Sequence, residues 1–220
     1  MAVVAMDREQ MARNASTPDE PWHTIREVGH WYSGAAEFAS EVLASGKGRC
    51  LVIGSPVFEA EDLKRLGWDV TYLDCRQAPF ANSVCADAAK HLPFADGYFD
   101  AVSTTCVLCH AGLGRYGDEG IPNADERILA HMCRVLKRGG VAAVTFGPVA
   151  AIAEPVVEIG TMHRVYSQAH AQAMAVHAGF TVSASRVWDT RGSRWRRIGE
   201  PSNVDLSALP DYLSLELRSI

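Results

Sequence analysis

The sequence predicts an α/β domain with a doubly wound, mostly parallel sheet of seven strands, of which the last runs antiparallel. Two observations predict this class. Short apolar runs alternate with segments whose apolar residues repeat at helical spacing, which is typical of a parallel sheet with helices on both faces. The last two runs, in contrast, have only a loop-like stretch between them, so the final strand is expected to turn back along its neighbour.

The strands are predicted from apolar runs bounded by glycine, acidic or other polar residues. They cover residues 50–54, 70–74, 83–86, 99–105, 141–146, 180–188 and 212–218. Helices are predicted where apolar residues recur every three or four positions, at residues 32–45, 59–66, 123–136 and 167–178. Asn123 and Glu126 have the spacing of a capping box, which would open the third helix. Lys137 to Gly140 is predicted as a turn, and residues 191–210 as a loop.

Composition and charge limit the function. Residues 1–30 are predicted as an N-terminal segment that could form a lid, and residues 31–220 as a single α/β domain. The net charge of -5 makes a nucleic-acid partner unlikely. Six dispersed cysteines are typical of reduced thiols, so a cytoplasmic protein is expected. No apolar run approaches the ~18 residues of a membrane span, so no membrane partner is expected. A homodimer is possible.

A ligand site is predicted at the carboxyl ends of the first strands. Ligands of open α/β sheets bind where the strand order reverses. Gly54 ends the first strand, where backbone can approach a ligand closely. Asp74 ends the second strand about 20 residues later, the separation at which an acid can accept hydrogen bonds from ribose hydroxyls. An acid at this position can also simply end a strand, and that alternative stays open.

Two longer segments carry a family resemblance. Residues 86–100 read A-D-A-A-K-H-L-P-F-A-D-G-Y-F-D, and Val135 to Gly140 read V-L-K-R-G-G. They resemble the D-A-x-x-L-P-F-x-D-x-x-F-D segment and the L-K-P-G-G turn of class I S-adenosylmethionine-dependent methyltransferases. With the H-A-G-F run that ends at Phe180, the resemblance covers residues 30–220. It implies the Rossmann-like methyltransferase fold, S-adenosylmethionine as cofactor and contact of Asp87 with the adenine amino group. The residues expected to bind the cofactor are Gly54, Ser55, Asp74, Cys75, Asp87, Ala88 and Thr105.

The first loop departs from the family pattern. Where the family reads G-x-G-x-G, residues 54–58 read G-S-P-V-F, so only the first glycine is kept. Pro56 removes a backbone donor and Phe58 adds bulk. The loop is therefore expected to take another path around the methionine end of the cofactor. We hypothesise that Glu59 or Glu61 binds the amino group there.

The segment after the fourth strand is the candidate for the chemistry. It contains G-L-G-R-Y-G-D at residues 112–118, with His110 just upstream. This run resembles a little-characterised branch of methyltransferase-like proteins that also carries H-R-x-Y, here residues 163–166. His110 could remove the proton of an acceptor near neutral pH. Asp118 could orient His110 or act instead, while Arg115 and Tyr116 could hold the acceptor.

Further substrate contacts are expected from four residues, although Trp31 could equally pack beneath the first helix. They are His30, Trp31, His163 and Tyr166. Arg115 and Asp118 could also merely pair to brace their loop. The arginines between residues 186 and 197 could hold a phosphate-bearing substrate or a polynucleotide, and a solvated loop is the favoured alternative.

The expected function is methyl transfer to oxygen or nitrogen of a small, sugar-like or natural-product-like acceptor. A non-catalytic binding or regulatory protein with an eroded glycine loop is the alternative. A nicotinamide enzyme is disfavoured, because its fingerprint needs glycine at Pro56 and Glu59. No metal is expected. A zinc site would need Cys106, Cys109, His110 and Cys133 together, and haem attachment at C-x-x-C-H is rejected.

Overall fold

The computed structural model describes residues 2–3, 30–76, 78, 80–114, 120–190, 195–201 and 211–220. Within these ranges eleven strands form one sheet, and four helices pack against it. The strands are β1 (Ala2–Val3), β2 (Arg49–Ile53), β3 (Asp69–Asp74), β4 (Ser83–Cys85), β5 (Phe99–Thr105), β6 (Leu136–Val149), β7 (Val156–Ile159), β8 (His163–Tyr166), β9 (Phe180–Asp189), β10 (Arg196–Ile198) and β11 (Asp211–Ser219). The helices are α1 (His30–Val42), α2 (Val57–Arg65), α3 (Ala124–Val135) and α4 (Gln168–His177).

The main body of the sheet has the strand order β4-β3-β2-β5-β6-β11-β9-β10. Strands β4 to β6 of this series are parallel, and β11 runs antiparallel to both β6 and β9. The chain leaves β2 toward β3 on one side and later fills β5 on the other. The strand order therefore reverses between β2 and β5, which confirms the predicted doubly wound sheet and its antiparallel last strand.

Helices cover both faces of the sheet, and the strand residues that pack against them are apolar. Leu51 and Ile53 of β2 face the layer of α3 and α4. Cys50 and Val52, which alternate with them, face the layer of α1 and α2. This alternation explains why the parallel strands are continuous apolar runs in the sequence.

Four short strands add to the seven that the sequence predicts. They are β1, β7, β8 and β10. The hairpin of β7 and β8 joins the carboxyl end of β6 through the pair Val149 and Tyr166. Strand β10 lies in the segment that was expected to be a loop, and it pairs with the end of β9.

Two predicted features at the two ends of α3 are wrong. Asn123 precedes α3 with a left-handed φ of 55° and no side-chain capping bond, so the capping box does not form. Residues 137–140 are not a separate turn but belong to β6. They bulge out of the pairing with β5, since Phe99 lies opposite Leu136 and Ala101 opposite Val141.

Gly147 brings the loop after β5 against the backbone of β6. It lies at a bulge between β6 and β11 and has a φ of 115°. A Cβ atom at this position would lie 2.6 Å from the Cys109 Sγ. A side chain at residue 147 therefore meets both backbone strain and a steric clash.

Gly147→Ala should lower the free energy of unfolding by roughly 2–4 kcal/mol, because strain and clash add. Gly139→Ala is the matched control: its φ is 74°, but no atom lies within 4 Å of the added Cβ. That variant should lose only about 1 kcal/mol. Urea denaturation of both variants checks the difference, and equal losses would contradict the packing of Cys109 on β6.

Candidate functional site

The candidate site lies where β2 and β5 end side by side. Gly54 follows β2 with a left-handed φ of 58°, and its N–H donates to the Leu73 carbonyl at 2.7 Å. A Cβ atom on Gly54 would lie 2.7 Å from the Val107 Cγ2. The loops that follow the two strands thus touch, and only glycine fits between them.

A buried carboxyl group ties these two loops together. The Glu59 side chain of α2 is 0% exposed, and it accepts hydrogen bonds from the Ser103 and Thr105 hydroxyls, both at 2.7 Å. The Ser55 Oγ accepts the Thr105 N–H at 2.9 Å. The Tyr72 hydroxyl donates to the Ser55 carbonyl at 2.5 Å. Hydrogen bonds from Tyr72 and β5 therefore brace the loop that begins at Gly54.

The brace bears on the residues that the sequence assigns to this loop. Glu59 lies within the core, so the hypothesis that it binds the cofactor's amino group is wrong. Glu61, the other candidate, is exposed and pairs with Arg65 at 3.5 Å on the surface of α2. The Ser55 and Thr105 side chains are 1% and 4% exposed, and both take part in the brace: the Ser55 Oγ accepts the Thr105 N–H, and the Thr105 hydroxyl donates to Glu59.

The pKa of Glu59 is raised by burial, although the hydrogen bonds from Thr105, Ser103 and Ser55 oppose the shift. A raised pKa means that the folded state keeps the proton to a higher pH than the unfolded state does. The protonated carboxyl would still bond both hydroxyls, because a hydroxyl can donate or accept.

Asp74 lies next to this loop, at the end of β3. Its carboxylate is 6% exposed, and Oδ1 accepts the Arg76 N–H at 2.9 Å and Nε–H at 3.3 Å. The Cys75 thiol also donates to Oδ1, at 3.5 Å. Burial and the Asp74 charge raise the pKa of Cys75 to about 12. Cys75 is therefore a neutral, unreactive thiol at this edge.

Asp87 lies on the next strand connection along the same edge. Its Oδ1 accepts the Ala89 N–H at 2.9 Å, which caps a turn in which Ala88 is buried. Strand β4 pairs with β3 so that Cys85 lies opposite Asp74. The structure thus brings Gly54, Asp74 and Asp87 onto consecutive strand ends, where the sequence predicts a cofactor.

The loop after β5 carries His110. Cys106 begins this loop with a φ of 57°, which is unusual for a residue other than glycine. The His110 Nδ1 lies 2.5 Å from the Met162 carbonyl oxygen, and its ring centroid lies 6.2 Å from that of His163. The structure therefore brings His110 together with His163, one of the expected substrate contacts.

Tyr166 does not face the site. It is 0% exposed, and its hydroxyl donates to the Leu108 carbonyl at 3.2 Å and to the Asp125 Oδ2 at 2.9 Å. Its predicted contact with substrate is therefore wrong. Arg164 lies beside it and is also buried, at 4% exposed. Sequence reasoning missed the structural roles of Glu59, Asp125 and Arg164. Strand alternation in the H-R-x-Y segment is the signal that places Arg164 with Tyr166.

Several expected site residues lie outside the described part of the structure. Arg115, Tyr116 and Asp118 belong to the undescribed residues 115–119. His30 and Trp31 lie in the first turn of α1, but their side chains are not described. Their predicted roles stay predictions.

The arginines near Trp195 are partly committed to structural pairs. Arg186 binds both carboxylate oxygens of Glu41 at 2.6 Å, and Arg196 pairs with Asp189 at 2.8 Å. Trp195 packs on Gly34 of α1, where an added Cβ would lie 2.5 Å from its ring. These contacts favour a structural role for the described arginines over a polyanion site.

The cysteines of the zinc alternative point in different directions. The Cys109 Sγ donates to the Cys106 carbonyl at 3.1 Å, whereas the Cys133 Sγ donates to the Gly179 carbonyl at 3.3 Å, at the opposite edge of the sheet. Among the described residues, no three metal-binding side chains cluster. The four residues of the zinc alternative therefore do not come together as one set of ligands.

Solved structures share this architecture at low sequence identity. An N1-methyltransferase from Burkholderia thailandensis, solved with 1,6-didemethyltoxoflavin and S-adenosylhomocysteine, is 18% identical with a TM-score of 0.65, and the match covers 100% of this chain and 92% of that one. The [4+2]-cyclase SpnF is 16% identical with a TM-score of 0.61, covering 84% and 79%. An S-adenosylmethionine-dependent methyltransferase from Mesorhizobium loti is 13% identical with a TM-score of 0.54, covering 86% and 99%.

The sequence comparison finds a family match over part of the chain. Residues 52–144, which run from β2 into β6, match the family model described as methyltransferase domain. Residues 52–144 are therefore similar to a methyltransferase domain, and the solved structures show that the chain shares the fold of S-adenosylmethionine-dependent methyltransferases. The matched residues include Gly54, Asp74, Asp87 and His110. No curated protein matches the chain. In the described ranges no helix is long and apolar enough to cross a membrane.

Glu59→Gln should stabilise the protein, relative to the wild type, increasingly as the pH rises. The raised pKa makes the wild type lose stability as pH climbs from about 4.3, the ordinary glutamate value, toward the folded value. The neutral amide of the variant keeps hydrogen bonds with the Ser103 and Thr105 hydroxyls. It does not ionise, so the variant does not lose stability in this way as the pH rises. Melting temperatures of both proteins between pH 5 and pH 9 (roughly the usable range) measure the difference.

Glu61→Gln, on the exposed surface of the same helix, is the matched control and should leave the melting curves nearly parallel to those of the wild type. A stability difference between Glu59→Gln and wild type that does not change with pH would contradict the buried, proton-holding carboxyl.

Proposed function

We propose that the chain methylates a hydroxyl or amine of a small-molecule acceptor, with His110 as the base that accepts the acceptor's proton. One observation carries the proposal: the His110 Nδ1 faces the Met162 carbonyl at 2.5 Å. A carbonyl oxygen only accepts hydrogen bonds, so Nδ1 bears the proton of the neutral ring. Nε2 then holds the lone pair, and it is the basic atom.

The residues at the strand ends fit an S-adenosylmethionine molecule. The Asp74 carboxylate would accept hydrogen bonds from the ribose hydroxyls, and Asp87 would contact the adenine amino group. Helix α2 begins at Val57, directly after the Gly54 loop, so its positive end would favour the cofactor's carboxylate. When bound, the cofactor supplies an electrophilic methyl group on a sulfonium.

The methionine end of such a cofactor would extend toward the loop after β5, because β2 and β5 are neighbours at the reversal of strand order. His110 is half-buried on that loop, with His163 beside it. An acceptor bound there would present its hydroxyl or amine to Nε2. The protein's contribution would be to align the acceptor, remove its proton and exclude water.

Two comparisons bear on the type of acceptor and reaction. The Burkholderia thailandensis neighbour is named for N1-methylation of a small molecule, which supports a small-molecule acceptor for this chain. The cyclase neighbour carries other chemistry on the same fold, so fold alone does not decide the reaction. The braced loop weighs against the alternative of an eroded, non-catalytic site, because Glu59 and Ser55 hold the loop in a defined conformation.

Asp74→Asn should weaken binding of S-adenosylhomocysteine about 10- to 100-fold, since hydrogen bonds to a charged group contribute about 1.5–3 kcal/mol. Isothermal titration calorimetry measures this directly. Asp69→Asn is the matched control, because Asp69 is exposed at the opposite end of the same strand. Unchanged affinity in Asp74→Asn would remove Asp74 from the proposed cofactor site.

His110→Gln should lower kcat about 100-fold or more, because it removes general-base catalysis. The test measures S-adenosylhomocysteine formed from S-adenosylmethionine with a panel of phenols, hydroxylated sugars and heteroaromatic amines. Affinity for S-adenosylhomocysteine should stay within about twofold, since the base does not hold the cofactor. His131→Gln on α3 is the control.

Full turnover by His110→Gln would overturn its proposed role. Cofactor binding with no turnover on any acceptor would instead favour the non-catalytic binding protein.

A further inference from the structure

Arg164 is a buried cation behind the loop that carries His110. It lies on β8 and is 4% exposed. Its Nη1 donates to the Leu108 carbonyl at 3.1 Å and to the Ala111 carbonyl at 2.8 Å. These two carbonyls lie on either side of His110 in the sequence, so one guanidinium group fixes the loop at both ends of this residue.

Two carboxylates hold the guanidinium in place. The Arg164 Nε donates to the Glu158 Oε1 at 3.2 Å and lies 3.7 Å from the Asp125 Oδ2. The Asp125 carboxylate also accepts the hydroxyl of Tyr166. Strand β7, strand β8 and helix α3 therefore contribute to one network around the loop. Charge and hydrogen bonds compensate for burying the cation.

The same short segment supplies the partner of the His110 ring. Met162, whose carbonyl faces the His110 Nδ1, lies two residues before Arg164. The Arg164 backbone N–H also donates to the Cys109 carbonyl at 2.7 Å. The loop and the segment that holds the imidazole are thus joined by backbone and side chain at adjacent positions, and they form one unit.

We propose that Arg164 is a positioning residue that keeps His110 in the tautomer with its proton on Nδ1 and its lone pair on Nε2. The inference deepens the proposed function, because it explains what selects the basic nitrogen. It makes a separate claim about the resting protein, however, which holds or fails without any acceptor. A lysine cannot replace this arginine, since its single nitrogen cannot stand in for both Nη1, which binds the two loop carbonyls, and Nε, which binds Glu158.

The experiment records long-range ¹H–¹⁵N spectra of ¹⁵N-histidine protein, with the His110 signals assigned through His110→Gln. Wild type should show a protonated Nδ1 and an unprotonated Nε2 at pH values where the ring is neutral. Arg164→Lys keeps the buried charge, and it should shift His110 toward a mixture of tautomers. Arg164→Ala with millimolar guanidinium should recover the wild-type pattern if that variant folds.

Arg134→Ala is the matched control. Arg134 also holds two loop carbonyls, those of Leu92 and Phe94, but in a different loop. Its loss should lower stability and leave the His110 spectrum unchanged. A wild-type His110 signal in Arg164→Lys would overturn the inference, and so would an Nε2-protonated His110 in wild type.

Kinetics separate this inference from the proposed function. If His110→Gln keeps full turnover while Arg164→Lys changes the tautomer, the base assignment fails and the positioning claim stands. If turnover requires His110 but the His110 tautomer does not depend on Arg164, the base assignment stands and the positioning claim fails. Where both are correct, Arg164→Lys lowers kcat about tenfold or more with KM little changed.

Discussion

The candidate site depends on the tie between the carboxyl ends of β2 and β5. These strands lie next to each other where the strand order reverses, so the crevice between their loops has no helix to close it. Beneath these loops, the Glu59 carboxyl joins α2 to β5 by accepting hydrogen bonds from the Ser103 and Thr105 hydroxyls. A charged carboxylate would be costly there, and burial accordingly raises its pKa. The tie sets the position of the Gly54 loop against the end of β5.

A second buried network performs the corresponding task on the acceptor side. Arg164, with Glu158 and Asp125, fixes the loop after β5, and Gly147 allows that loop to pack on β6. The strand ends are therefore rigid where a cofactor and an acceptor would meet, and rigid support of this kind is what positioning of reacting groups requires.

The architecture could be predicted because it follows from local pattern. Apolar runs such as residues 99–105 and 50–54 identify the central strands to within a residue. The hairpin of β7 and β8 was missed because each strand has four residues and its pairing depends on β6. The bulge at residues 137–140 was missed because glycine pairs predict turns, whereas here the neighbouring β5 keeps the segment in the sheet.

The site could be predicted only as a set of backbone positions. Strand ends place Gly54, Asp74 and Asp87 on one edge, which sequence spacing reveals. The direction of a side chain depends instead on partners far along the chain. The Glu59 side chain points into the core because it accepts hydrogen bonds from hydroxyls of β5. The Tyr166 side chain points inward because its hydroxyl donates to the Asp125 carboxylate. These partners are 46 and 41 residues away, beyond what local pattern can show.

The most direct test is a crystal structure of the protein with S-adenosylhomocysteine. We expect the ribose hydroxyls within hydrogen-bond distance of Asp74, the sulfur beside the loop that carries His110, and Glu59 still bonded to Ser103 and Thr105 beneath the ligand. Binding at another edge of the sheet, or Glu59 turned out of the core to contact the ligand, would contradict the account.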